Sequence, residues 1–157
     1  MTRDEFPVSA SRTEMTEMVM PNDANPRGTV MGGRVMHWID ICAAIAAGRH
    51  ARTPVVTASV DKIDFHRPSP VGSVLALFAS VNYAGRTSME IGVKVLHEDR
   101  VTGDRYHVAS AYLTFVSLDP QTGKPQAVAK ILAETEEEKR RYAQAEHRRN
   151  DRLGHVD

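Results

Sequence analysis

The sequence predicts an α+β fold in which a long antiparallel sheet covers one apolar helix, with a charged helix added at the C-terminal end. Three observations carry this. Apolar residues recur at helical spacing over residues 34–49, four β-like segments follow in succession between residues 55 and 118, and the breaks between those segments are short. A parallel pair would need a crossover of a dozen or more residues, so short breaks mean antiparallel neighbours. One apolar helix and one such sheet bury each other's apolar surface, and 157 residues suffice for a single domain with a real core.

Taken in order, residues 1–12 read as a mixed polar and charged tail without the apolar run of a secretory leader. Residues 13–20 alternate, with Thr16, Met18 and Met20 opposite Met15, Glu17 and Val19, as a short strand. In the helix, Val35, Met36, Ile39, Cys42, Ala43 and Ala46 form one face, and Trp38, Ile41 and Ile45 occupy much of the other. A helix apolar nearly all round is expected to be buried. The β-like segments run over 55–65, 73–83, 87–98 and 105–118. In the third, Met89, Ile91, Val93 and Val95 alternate with Ser88, Glu90, Gly92 and Lys94, the pattern of a half-solvated antiparallel strand. In the first, the apolar phase switches between Val60 and Ile63, which predicts a bulge near Asp61 and Lys62. Residues 134–152 read as a solvated, fraying helix with charge pairs such as Glu136 with Arg140 and Glu137 with Arg141. The organisation is therefore a tail at 1–12, the folded domain at 13–119, and a linker with a charged C-terminal helix and tail at 120–157.

Lys and Arg together number 20, as do Asp and Glu, so there is no basic field to attract nucleic acid or an anionic membrane. The single cysteine, Cys42, rules out an internal disulfide and any multi-cysteine zinc site. No stretch approaches the length of an apolar membrane span. These features lead us to expect a soluble cytoplasmic protein.

Chemistry concentrates between residues 21 and 40. A polar loop with Asn25-Pro26 leads into Gly32-Gly33, where the missing side chains let a ligand approach backbone N–H groups as a helix begins. Asp40 then sits among apolar neighbours, although Asp is a poor helix-interior residue and costly to bury unpartnered. The plain alternatives are that Asp40 pairs with His37 one turn back, and that Asn25 and the glycines only shape the loop. His37, His66 and His107 match no common zinc spacing. A Gly-x-Ser-x-Gly nucleophile elbow is absent.

Asn25-x-x-Gly28-x-x-x-Gly32-Gly33 followed by Asp40, with Asp64-Phe65-His66-Arg67-Pro68, Gly72 and Gly85-Arg86-Thr87-Ser88 downstream, resembles the hotdog-fold acyl-CoA thioesterases, specifically their cytosolic acyl-CoA hydrolase branch. The resemblance spans about residues 13–118. It implies a sheet wrapped around a central helix, a homodimer at minimum, a hexamer built as a trimer of dimers, and active sites at the dimer interface. It also implies hydrolysis of fatty acyl-CoA, with Asp40 as general base or nucleophile and Asn25 of the opposite protomer orienting water or thioester. The backbone N–H of Gly33, with Gly32 beside it, would hold the oxyanion. No metal and no cofactor is implied, coenzyme A being part of the substrate. Its phosphates would need cationic groups, for which Lys62, Arg67 and Arg86 are candidates, with Thr87 and Ser88 as hydrogen-bonding neighbours. The competing reading is a non-catalytic acyl-CoA sensor on the same fold. A hotdog hydratase is a third, less well served by an Asn and Asp pair.

Overall fold

The computed structural model describes residues 4–154. Helix α1 (Gly32–Ala51) is preceded by strands β1 (Glu5–Pro7) and β2 (Thr13–Met18). Strands β3 (Val55–Phe65), β4 (Val74–Ala84), β5 (Ser88–Glu98) and β6 (Arg105–Ser117) follow, and then β7 (Lys130–Leu132) and helix α2 (Glu136–Gly154). The main sheet is antiparallel in the order β2-β4-β5-β6-β3, and α1 packs across all five of its strands.

Period-two patterning fixes the two faces of this sheet. Leu75, Leu77 and Val81 of β4, Met89, Ile91, Val93 and Val95 of β5, and Leu113 and Phe115 of β6 are buried. Together with Val35, Trp38, Ile39, Cys42, Ala43, Ala46 and Ala47 of α1 they make one core, each large side chain contributing about 1.5–3 kcal/mol. Small residues along α1 let the helix lie close to the sheet. Cys42 is sealed in this layer, and burial pushes its thiol up to about 11.

Four expectations need correction. Helix α1 is buried on one side only within the chain. Met36, assigned to the inward face, is 43% exposed, and Ile41 and Ile45 are also exposed. They have an apolar counterpart on β3, where Val56, Val60 and Phe65 are exposed along a sheet edge eleven residues long. Second, part of the N-terminal tail and part of the linker are structured. Strand β1 pairs in parallel with β7, Phe6 facing Ile131, and strands of three residues are too short to show a period. Third, the outer side of β5 is only partly solvated: Lys94 is exposed, but Glu90 is 6% exposed. Fourth, the element that covers Glu90 is α2, which docks instead of standing free. Its Arg148 makes a two-pronged pair with Glu90, Arg152 reaches Asp61 at 2.7 Å, Arg12 reaches Glu138, and Tyr142 stacks on Tyr83. The surface pair Glu137 with Arg141 forms at 2.6 Å, while Glu136 pairs with Lys139 and not with Arg140. The predicted bulge is present as a register shift between Val60 and Lys62, and a second lies between Thr57 and Ser59.

Candidate active site

The loop before α1 is held in one shape by its own polar groups. Asn25 accepts from the N–H groups of Arg27 (2.9 Å) and Thr29 (3.2 Å) and donates to Thr29 Oγ1 (2.9 Å). Gly28, at φ +78°, takes a left-handed turn that a side chain would strain. Asp23 then ties the loop to the helix by pairing with Arg34 at 3.0 Å. A second loop, after β3, is stitched alongside: Val30 N–H donates to Ser69 O at 2.8 Å and Val71 N–H to Gly28 O at 3.0 Å.

Between these loops, at the amino end of α1, lies a cavity of about 280 Å³. Val30, Val35, Phe65, Pro68 and Val108 give it apolar walls, Gly32 lies on its lining, and His66 and Arg67 supply polar groups. The first free N–H groups of a helix carry the positive end of its dipole. Here the Met31 carbonyl takes the N–H groups of Arg34 and Val35. Among the described residues those of Gly32 and Gly33 donate to nothing. They are available to an oxyanion.

Asp40 stands two turns further along α1 and is half-buried, and its carboxylate Oδ1 accepts from Thr57 Oγ1 of β3 at 2.7 Å. His37 is not its partner. No local rule of the sequence singles out Thr57, whose hydroxyl lies on the strand face toward the helix, opposite to that of Val56.

The remaining predicted residues divide into groups. Arg67 lies on the cavity, its guanidinium 4.6 Å from the Tyr106 ring centre. Among the described residues it pairs with no carboxylate. Lys62 is exposed and pairs with Asp64 at 3.5 Å. Arg86 and Thr87 occupy the turn between β4 and β5, and Ser88 begins β5. Register puts Ser88 beside Val116, in the row of Val56, whereas Phe65 pairs with Ala109. The two groups thus stand at opposite ends of the sheet, on the order of 25 Å apart at a strand rise of ~3.3 Å per residue. One chain does not bring Arg67 and Arg86 to one ligand. Nor does any hydrogen bond join Asn25 to Asp40 among the described residues. His66 and His107 stack with ring centres 4.5 Å apart, and no group of three or more metal-binding side chains gathers among the described residues.

Comparison with known proteins places this geometry. A model of the thioesterase superfamily matches residues 27–103. The uncharacterized acyl-CoA thioester hydrolase YkhA of Bacillus subtilis is 42% identical over 142 residues, covering 90% of this chain and 82% of that one. The mouse cytosolic acyl coenzyme A thioester hydrolase is 38% identical over 96% of this chain and 41% of its own length. Among solved structures, an apo-hexameric acyl-CoA thioesterase superposes with a TM-score of 0.91 at 43% identity, covering 96% of both chains. An acyl-CoA hydrolase from Staphylococcus aureus, solved with butyryl coenzyme A, coenzyme A and coenzyme A disulfide, gives 0.90 at 39% identity, over 96% of this chain and 91% of that one. Other structures of that enzyme replace an aspartate, an asparagine or a threonine by alanine. The chain belongs to the thioesterase superfamily and shares the fold of its acyl-CoA thioester hydrolases.

Proposed function

We propose that this chain hydrolyses fatty acyl-CoA to the free acid and coenzyme A. The observation that carries the reading is the Asp40 carboxylate, half-buried on an apolar helix and oriented by Thr57. The three residues altered in the Staphylococcus aureus enzyme follow one another at the same sequence separations as Asn25, Asp40 and Thr57 do here, which supports assigning these three to one site.

As general base, Asp40 takes a proton from water as the water attacks the thioester carbon. The C–S bond then breaks, and the thiolate leaves with the proton returned to it. This step contributes about 10²–10⁴-fold. Direct attack by Asp40, through an anhydride that water then opens, is the alternative course for the same residue. The N–H of Gly33 holds the oxyanion, for about 3–4 kcal/mol. The reaction uses no metal or cofactor beyond the coenzyme A of its substrate, whose phosphates are met by Arg67 and by Arg86, Thr87, Ser88 and Lys62.

A single chain does not assemble this site. Asp40 and the Gly33 amide stand about 10 Å apart along one helix at 1.5 Å per residue, yet each must come within about 3 Å of the reacting group. A second protomer resolves the mismatch, presenting its Asn25 loop and helix end to Asp40. The long β3 edge and the exposed Met36, Ile41, Val56 and Val60 supply the apolar contact for that partner. Further association to a trimer of dimers accords with the hexameric structural neighbours. No helix among the described residues is long and apolar enough to cross a membrane, and with a cytosolic relative we place the protein in the cytoplasm.

The test is release of free thiol from acyl-CoAs of different chain length by the parent and by Asp40→Asn. The variant keeps a hydrogen-bonding oxygen facing Thr57 and loses the base, so turnover falls at least about 100-fold with folding intact. Turnover near the parental value in a folded variant removes Asp40 from catalysis.

A further inference from the structure

Strand β3, which carries Thr57, is an edge of the sheet and is paired within the chain on one side only, to β6. Its pairing skips two residues. Thr57 lies opposite Phe115, Ser59 opposite Thr114, Val60 opposite Leu113 and Lys62 opposite Tyr112, so Ala58 and Asp61 are extra residues with no cross-strand partner. An extra residue bends its strand and re-aims the side chains beside it. Plain alternation from Thr57 would turn Val60 outward, and the bulge at Ala58 keeps it on the inner face beside Leu113. The direction of the Thr57 hydroxyl toward Asp40 therefore depends on a bulge that begins at the next residue.

The groups that hold this stretch lie on the other side of the sheet. The Asp61 side chain is 19% exposed. One of its oxygens accepts from Ser59 Oγ at 3.3 Å, and the other accepts from Thr114 Oγ1 at 3.4 Å and from Arg152, near the end of α2, at 2.7 Å. Ser59 follows the first bulge and Asp61 is the second, so one carboxylate spans both. Arg152 is the one cation paired with it among the described residues. Resting on the thioesterase reading above, we propose that Arg152 is a positioning residue for the reaction: it neutralises Asp61, which keeps the double bulge closed and so holds Thr57 against the Asp40 carboxylate on the opposite face. Without Arg152, a largely buried anion gains by turning outward to water, and the bulge opens with it. A displacement of about 1 Å at the reacting groups is enough to slow a reaction severely.

The experiment measures kcat and KM for acyl-CoA hydrolysis in Arg152→Ala, Arg152→Lys and Arg12→Ala, alone and with Thr57→Val, and amide hydrogen exchange over residues 57–62. Arg152→Ala should lower kcat about tenfold with KM unchanged, and Arg152→Lys should recover most of the rate. Arg12→Ala breaks the other tether of α2, to Glu138, without touching β3, and its kcat should be that of the parent. Because Arg152 acts through Thr57, adding Arg152→Ala to Thr57→Val should slow the enzyme no further. Multiplying losses in that double variant overturn the proposal, as does an equal loss of kcat in Arg12→Ala, which would reduce the effect to general loosening of α2. Exchange at residues 57–62 should quicken in Arg152→Ala and not in Arg12→Ala. If the parent releases no thiol from any acyl-CoA, the hydrolase reading falls by itself. Exchange then decides for the bulge: quickening in Arg152→Ala alone upholds the clamp, and parental protection overturns it.

Discussion

Thr57 donates its hydroxyl to Asp40 Oδ1 at 2.7 Å, joining the central helix to the edge strand of the sheet. The bond occupies one carboxylate oxygen and leaves Oδ2 for water, so it fixes the direction from which a proton can be taken. A hydrogen bond to a charged group contributes about 1.5–3 kcal/mol. Thr57→Val keeps the shape and removes the donor, and kcat should fall roughly ten- to a hundredfold with KM little changed. Thr57→Ser restores the donor and most of the rate. Steady-state kinetics of the two variants decide, and parental turnover in Thr57→Val would show that the bond only braces the helix.

The proposed sharing of the site between two protomers makes a second expectation. Asn25→Ala and Asp40→Ala each disable both sites of a homodimer. A mixed dimer has one site lacking both groups and one site intact. Exchange of differently tagged variants should therefore restore activity, up to one intact site per mixed dimer. Native mass spectrometry measures the exchange, and absence of recovery in proven heterodimers rules out a site built from two chains.

Asp40 stands out from the residues alone because a carboxylate among Ile39, Ile41 and Cys42 conflicts with the cost of burying charge, and the structure holds it half-buried against Thr57. Helix α1 and strands β4 to β6 were legible because each is long enough for its period to show. Thr57 was not, since threonine suits a strand and breaks no local rule. Nor was the separation of Arg67 from Arg86, which depends on strand register and not on spacing. Helix α2 was misread for a related reason. Its docking groups are arginines, which look solvated in sequence, and their partners Glu90 and Asp61 lie far away along the chain.

That docking is itself testable. Glu90 is buried, and Arg148 reaches both of its oxygens at 2.8 and 2.9 Å while lying 3.7 Å from the Tyr112 ring centre. Hydrogen bonding to Glu90 raises the Arg148 pKa further above its ordinary range, so the guanidinium stays charged. Asn82 completes the site by donating to Glu90 at 3.0 Å, and it has room only because Gly92 lacks a side chain. Removing one partner leaves an uncompensated buried charge, so Arg148→Met should cost about 3 kcal/mol, whereas Arg148→Met with Glu90→Leu should recover much of that. Chemical denaturation measures both. Additive losses in the double variant would show that the two residues act separately.

The carboxyl end of α1 carries a further dependence, on pH. His50 is fully buried and contacts the carbonyl of Ala129 at 2.6 Å through Nε2, while Nδ1 has no partner. The neutral ring donating from Nε2 fits this arrangement. A second proton would put an unpaired charge in an apolar wall. Burial accordingly holds its pKa below the ordinary 6.5, and the bond to Ala129 only partly offsets that. Because the folded-state pKa is the lower one, the stabilisation is complete above pH 6.5. It is lost as pH falls from there toward the folded-state value. Ala129 precedes β7, and Phe6 of β1 meets the ring edge-on at 5.8 Å, so the two-stranded ribbon should open first. Melting temperature from about pH 8 to about pH 5 should drop more steeply in the parent than in His50→Gln, whose amide donates to the same carbonyl without titrating. Hydrogen exchange at acid pH should rise first in residues 5–7 and 130–132. Equal pH slopes in the two proteins would assign the acid sensitivity to other groups.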